Sequence, residues 1–267
     1  MNQPAPLESL QGDLPLPRNT IAVASGKGGV GKTWLAIGLA QAFAETGART
    51  LLFDGDLGLA NVDVQLGLSP DRDLGDFLAG RSSLRDAATS YAAGGFDVLA
   101  GRSGSGSLAM LQGDKLGLLA TALHELAADY DRVILDLGAG IDHTVRQLVQ
   151  RAATSLIVVN DEPTSLTDAY ALIKLTLMRH PQADLRIVVN MAGSAATGEK
   201  TYRTLRKACE SFLKASPPLA GLIERDSFVP DSIRRQTPIL TRHPNATAAA
   251  GLRALARRLS APPAAHP

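Results

Sequence analysis

Eight residues near the N-terminus constrain this chain more than anything else in it. Gly26-Lys27-Gly28-Gly29-Val30-Gly31-Lys32-Thr33 follows an apolar, β-rich run, Thr20–Ser25, and opens a helical pattern over residues 32–46. This is the phosphate-loop pattern GxxxxGK[ST] in the strand–loop–helix setting that it requires. Glycines let successive backbone N–H groups turn inward around phosphate oxygens, and the helix N-terminus adds partial positive charge. Lys32 is expected to reach the β- and γ-phosphates of a nucleotide, and the Thr33 hydroxyl to ligate Mg²⁺. The competing reading is a Gly-rich turn without chemistry, and the flanking strand and helix argue against it.

Such a loop demands a sheet, and the rest of the chain supplies one. Apolar runs at residues 50–53, 96–100, 132–135, 155–159, 185–189 and 219–223 read as strands. Helical patterns at 115–128, 142–152, 164–178 and 200–213 fill much of the chain between them. Continuously apolar strands separated by helices predict an α/β fold, a doubly wound, mostly parallel sheet with helices on both faces. Ligands in such sheets bind beyond the carboxyl ends of the strands. One domain over residues 18–260 accounts for the pattern. Residues 1–17, with four prolines, and residues 261–267 are expected to be flexible tails.

Composition narrows the setting. A hydrophobic share of 45% and a charged share of 20% are those of an ordinary globular protein. No run is long and apolar enough to span a bilayer, and the start lacks the features of a secretion signal, so a cytoplasmic location is expected. The one cysteine, Cys209, leaves no internal disulfide framework, and the five histidines lack metal-ligand spacing. A net charge of +1 hides a basic C-terminal portion: residues 200–267 hold 12 Lys or Arg against 4 Asp or Glu. That bias fits either solvated helix faces or contact with a polyanion.

Acids stand where the phosphate loop would need them. The second strand runs into Asp54-Gly55-Asp56, and the run 133–135 ends at Asp136. Carboxylates just past buried strands can hold the water shell of Mg²⁺ and orient an attacking water. Asp136 occupies the position that holds Mg²⁺ through water in phosphate-loop enzymes. Asp54 and Asp56 taken alone read as a turn sooner than as an adventitious cation site.

The string Lys27-Gly-Gly-Val-Gly-Lys-Thr33 resembles the deviant Walker A loop of the MinD/ParA family of ATPases. The resemblance implies that Lys27 reaches the nucleotide of a second subunit and supplies charge there in trans, so that ATP is sandwiched in a homodimer. It implies a water-positioning role for Asp56 in switch I, a metal-water role for Asp54, and a switch II at Gly138-Ala139-Gly140. Leu137 departs from the hydroxyl residue or proline that many members place near this acid. Lys27, Lys32 and Asp56 are then the catalytic set. Gly26 to Thr33, with Trp34 following, hold the nucleotide, and Thr33, Asp54 and Asp136 serve the metal. By the same resemblance Asn190, Pro230 and Asp231 border adenine. Asn190 read alone is a strand-ending turn residue, and Trp34 read alone a packed helix residue.

Two longer strings, residues 56–63 and 161–174, resemble the FleN/FlhG branch of the family, which regulates flagellar number. Asn190-Met191 and Pro230-Asp231 fit the same branch. The branch implies an ATP-dependent dimer that restrains a σ54-dependent flagellar activator (FleQ-like), acts with an FlhF-like GTPase, and works in the cytoplasm or at the cell pole. Transient membrane contact through a helix over residues 245–259 is a further implication, although its apolar side also suits a core helix. Two alternatives share the catalytic residues. A ParA-type partitioning ATPase would use a basic patch such as Arg203, Arg206, Lys207 and Lys214 for nonspecific DNA. A MinD-type division regulator would need a membrane-binding helix.

Overall fold

In the computed structural model, residues 15–56, 59–101 and 114–260 are described. Their elements in chain order are β1 (Thr20–Ser25), α1 (Lys32–Ala44), β2 (Thr50–Gly55), the short helices α2 (Val62–Leu66), α3 (Leu74–Leu78) and α4 (Leu84–Ala87), then β3 (Ala88–Tyr91) and β4 (Phe96–Leu99). There follow α5 (Asp114–Ala127), β5 (Arg132–Ala139), α6 (His143–Arg151), β6 (Thr154–Val159), α7 (Pro163–Arg179), β7 (Leu185–Ala192) and α8 (Ala195–Leu213). The chain closes with β8 (Leu219–Glu224), α9 (Phe228–Arg234), α10 (Ile239–Arg242) and α11 (Thr247–Ser260).

Eight strands form one sheet in the order β3-β4-β2-β5-β1-β6-β7-β8. All neighbouring pairs are parallel except the edge hairpin of β3 and β4. β1 and β2 are buried along all six of their residues, which is why each reads as an unbroken apolar run. Alternate residues feed two cores. Ala22 and Ala24 face one layer, where Leu172, Ile173 and Leu205 of α7 and α8 pack. Ile21 and Val23 face the other, built from Leu35 and Leu39 of α1 and Leu252 and Leu255 of α11. Burying each of these side chains contributes about 1.5–3 kcal/mol.

Local chemistry sets the helix starts. The Asp142 carboxylate accepts from the Val145 amide at 2.9 Å, and the Ser194 hydroxyl from the Thr197 amide at 3.2 Å, each satisfying an orphan donor of its helix. Pro163 sits in the first turn of α7, where its missing N–H costs nothing.

One expectation changes, and two of the alternatives lose support. Leu16, assigned to the tail, is 5% exposed, and its amide donates to the Arg151 carbonyl at 2.8 Å. The packed chain therefore includes residues 15–17; residues 1–14 and 261–267 lie outside the described part. The final helix spends its apolar face internally: Leu252 and Leu255 are buried, and Leu252 packs against Gly38 of α1. α11 is a core helix, and that face is not free to enter a membrane. No helix among the described residues is long and apolar enough to cross one. The basic patch is also partly neutralised, since Arg203 pairs with Glu199 and Arg206 with Glu210 along α8.

Candidate functional site

β1 lies at the centre of the sheet, between β5 and β6, while the chain leaves it toward β2 on one side. The carboxyl end of β1 is thus the point where the strand order reverses, the place where doubly wound sheets open a crevice. A cavity of about 460 Å³ lies there. Its lining joins Gly28, Gly29, Gly31, Lys32, Thr33 and Trp34 of the loop and α1 to Asp56, Asn61 and Ala139 and to Asn190, Asp226 and Pro230. Volume and mixed lining suit a mononucleotide.

The glycines of the loop are there for stated reasons. Gly31 has φ 86°, a left-handed conformation that glycine adopts without penalty, and it caps the N-terminus of α1. A Cβ on Gly31 would lie 2.5 Å from the Asn190 amide nitrogen. A Cβ on Gly26 would sit 2.2 Å from the Asp168 backbone, so the chain passes there only as glycine. Asn190, at 2% exposure, donates its side-chain amide to the Val30 carbonyl at 2.8 Å, so it braces the loop as well as lining the cavity.

Lys32 is buried, which pulls its pKa down, while the charges of Asp136 and Asp56 pull it back up. Asp136 lies at the bottom of the site, and burial pushes its carboxyl up to about 8, helped by the charge of Asp54, with Thr33 and Lys32 acting the other way. Neither carboxylate oxygen of Asp136 has a hydrogen-bond partner of ordinary geometry. A buried acid without a partner, beside a threonine hydroxyl and a lysine, fits a hard divalent cation brought in with phosphate oxygens. Among the described residues no three acid, His or Cys side chains converge on a cation by themselves, so phosphate and water would have to complete the shell.

Asp54 and Asp56 have separate roles in this geometry. Asp54 is fully buried, and burial pushes its carboxyl up to about 6, against the backbone hydrogen bonds that hold it down. Its oxygens accept from the amides of Asp56 at 3.2 Å, Asn61 at 3.0 Å and Val62 at 3.0 Å. It therefore ties Asp56 to Asn61 and Val62 at the start of α2. Asp56 faces the cavity with its carboxylate against Gly138, and accepts from the Leu59 amide at 3.1 Å. β5 continues past Asp136 through Leu137 and Gly138 to Ala139, and Gly140 donates to the Ser25 carbonyl at 2.9 Å. Gly138 and Gly140 are thereby held beside the phosphate loop.

Lys27 points away from this centre. Its ammonium is ion-paired with Glu162 and donates to the Thr164 hydroxyl at 2.9 Å, at the start of α7. That pairing holds the Glu162 carboxyl below the usual carboxylate range. Gly26 and Val30 shape the loop without lining the cavity, and Asp231 does not line it either. The Asp231 carboxylate is turned to Arg242 at 2.6 Å and His243 at 2.9 Å, which pull it down to about 2. Asp231 braces α9 against α10, while its neighbour Pro230 faces the cavity. Sequence reasoning missed the holders of Lys27, the Asn61 and Gln65 side chains, and Met191, Glu224 and Arg225 at the strand ends. Position just beyond a strand end was the available signal for the last three.

Residues 21–239 match the CobQ/CobB/MinD/ParA nucleotide binding domain. The chain is 38% identical over 247 residues to antiactivator FleN of Pseudomonas aeruginosa, covering 92% of this chain and 88% of that protein. It is 30% identical over 227 residues to the flagellum site-determining protein YlxH of Helicobacter pylori, covering 84% and 76%. Among solved structures, the cell division ATPase MinD of Pyrococcus furiosus superposes with a TM-score of 0.76 at 25% identity, over 91% of this chain and 98% of that one. The MinC:MinD cell division complex of Aquifex aeolicus gives a TM-score of 0.74 at 28% identity, over 91% and 97%. The chain with this phosphate loop belongs to the MinD/ParA nucleotide-binding family, and it is an ATPase of that type.

Proposed function

We propose that this ATPase regulates flagellar number as a switch between a monomer and an ATP-bound homodimer. The observation that carries the reading is the likeness to antiactivator FleN, which runs through every element that builds the site. MgATP is the ligand that suits the cavity. The loop amides and Lys32 would take the phosphates, and Thr33 and Asp136 would serve the metal, Asp136 through water. Magnesium, when bound, neutralises charge developing on the transferred phosphoryl group. Asp56 faces the cavity near Gly138, and in this reading it would hold and orient a water.

Lys27 gives the switch its second state. In the isolated chain it is occupied by Glu162 and Thr164. In a homodimer it would leave them for the triphosphate of the other copy, bringing positive charge to the transition state in trans. Leu59 and Ile141, exposed beside the two switch segments, offer apolar contact between copies. Partner affinity would then follow the nucleotide, because only one state presents the joined surface. The partners this reading names are a σ54-dependent flagellar activator (FleQ-like) and an FlhF-like GTPase, met in the cytoplasm or at the cell pole. Nonspecific DNA suits the surface less well, because two of its four candidate cations are already paired on α8.

The test loads the hydrolysis-impaired Asp56→Ala variant with ATP or ADP and measures mass by light scattering, then retention of the activator. A dimer in ATP alone, with the activator retained by that form alone, supports the reading. A monomer in both, or retention indifferent to nucleotide, would overturn it.

A further inference from the structure

Trp34 is the only tryptophan of the chain, and it directly follows the threonine of the phosphate loop. It is 7% exposed and belongs to the core on the α1 side of the sheet. It forms part of the wall of the nucleotide cavity, and also of a second, smaller cavity whose other walls include Leu66 of α2 and Ile239 of α10. Gln65 of α2 and Ile233 of α9 line both cavities as well. Three elements with different duties therefore meet at one indole: the phosphate helix α1, the helix α2 that ends the switch segment, and the helix α9 that carries Pro230.

α2 has only five residues, too few for a helix to hold itself, so its place is set by what it touches. Its start is tied to the Asp54 carboxylate through the amides of Asn61 and Val62. Its end is tied toward α9, where the Gln236 side-chain amide donates to the Val64 carbonyl at 2.9 Å. Between these ties the large, rigid side chain that shares a core with Val62 and Leu66 of α2, and a cavity wall with Gln65 and Ile233, is Trp34. Side chains that share a core transmit displacement, whereas a small side chain at position 34 would enlarge the space already beside it and absorb the displacement.

We propose that Trp34 is a positioning residue: its indole couples a base seated at the Pro230–Ile233 end of the cavity to α2, and through α2 sets Asp56. The inference rests on the nucleotide reading of the cavity and adds a role for the base in the hydrolytic step. Base binding is then felt in kcat and not only in KM.

The test is hydrogen exchange and steady-state hydrolysis on the full chain. In the wild type, ADP should slow exchange in the phosphate loop and in α2, while inorganic tripolyphosphate, which lacks a base, should slow it in the loop alone. In Trp34→Ala, ADP should protect the loop but no longer α2, and kcat should fall about tenfold with KM changed by at most about threefold. Trp34→Phe, which keeps an aromatic wedge, should recover most of both. Unchanged kcat and unchanged α2 protection in Trp34→Ala would overturn the proposal, as would equal α2 protection by tripolyphosphate. Absence of any loop protection by ADP in the wild type would overturn the nucleotide reading itself, and this proposal with it.

Discussion

Replacing Asp136 by Asn should make the ligand-free protein more stable and the enzyme inactive. Asp136 is 1% exposed, its oxygens have no hydrogen bond of ordinary geometry, and its register partner on β2 is another buried acid, Asp54. Burial raises the folded-state value to about 8 from an ordinary 3.8. The sign follows from linkage. Below pH about 4 the group is protonated in both states and costs nothing. Between about 4 and about 8 the unfolded chain releases a proton that the folded chain keeps, so stability falls as pH rises through that window. At pH 7 the accumulated cost is about 4 kcal/mol, at about 1.4 kcal/mol for each unit of pH crossed. An amide escapes this cost but carries N–H groups needing acceptors, which returns about 1–2 kcal/mol. The net gain is about 2–3 kcal/mol, or about 5–10 °C in Tm for a domain of this size. Differential scanning fluorimetry from pH 5 to pH 8 without nucleotide measures it. The gain should be largest at the alkaline end and shrink toward pH 5, and MgATP should stabilise the wild type but not Asp136→Asn. A variant less stable than wild type at every pH would refute the reasoning.

Other perturbations separate loop, latch and packing. Lys27→Ala should bind ATP within a few-fold of wild type and fail to dimerise, which light scattering with ATP would show. Gly31→Ala forces a side chain into a left-handed conformation against Asn190 and should cost about 1–3 kcal/mol, with loss of nucleotide binding by calorimetry. Leu16→Ala removes a buried anchor and should cost about 2–3 kcal/mol in urea unfolding, leaving the KM for ATP unchanged.

Much of the sheet was legible because parallel strands buried on both faces leave continuous apolar runs, as β1 and β2 do. Strand ends were read short. β5 runs on through Asp136-Leu137-Gly138-Ala139 and β7 through Asn190-Met191-Ala192, since polar and small residues at a sheet's ligand edge break the apolar signal. The short helices α2 to α4 and the antiparallel edge β3 carry four or five residues each, too little for a periodicity to show. α8 starts earlier than its pattern suggested, because the Ser194 cap recruits a first turn of small residues.

The site divides along the same line. Lys32 and Thr33 were found from strand-end position and motif, Asp56 through the family resemblance, and they line one cavity with Asn190 and Pro230. Asp136 lies buried beneath it. The partners of Lys27 were not legible, because Glu162 and Thr164 lie more than a hundred residues away and meet it only because β6 pairs with β1. Asp231 was assigned from the string Pro230-Asp231, but two basic neighbours on the following turn decide where its carboxylate points. The double service of Trp34, between cavity and core, depends on α2 and α9 arriving from opposite ends of the chain.

The central claim is that ATP binding at this site controls flagellar number. Counting flagella per cell by electron microscopy, in a strain lacking the gene and after its return, tests that most directly. The account predicts extra flagella in the deletion strain, a normal count when the wild-type gene is restored, and no correction by Lys32→Ala. An unchanged count on deletion, or full correction by Lys32→Ala, would contradict it.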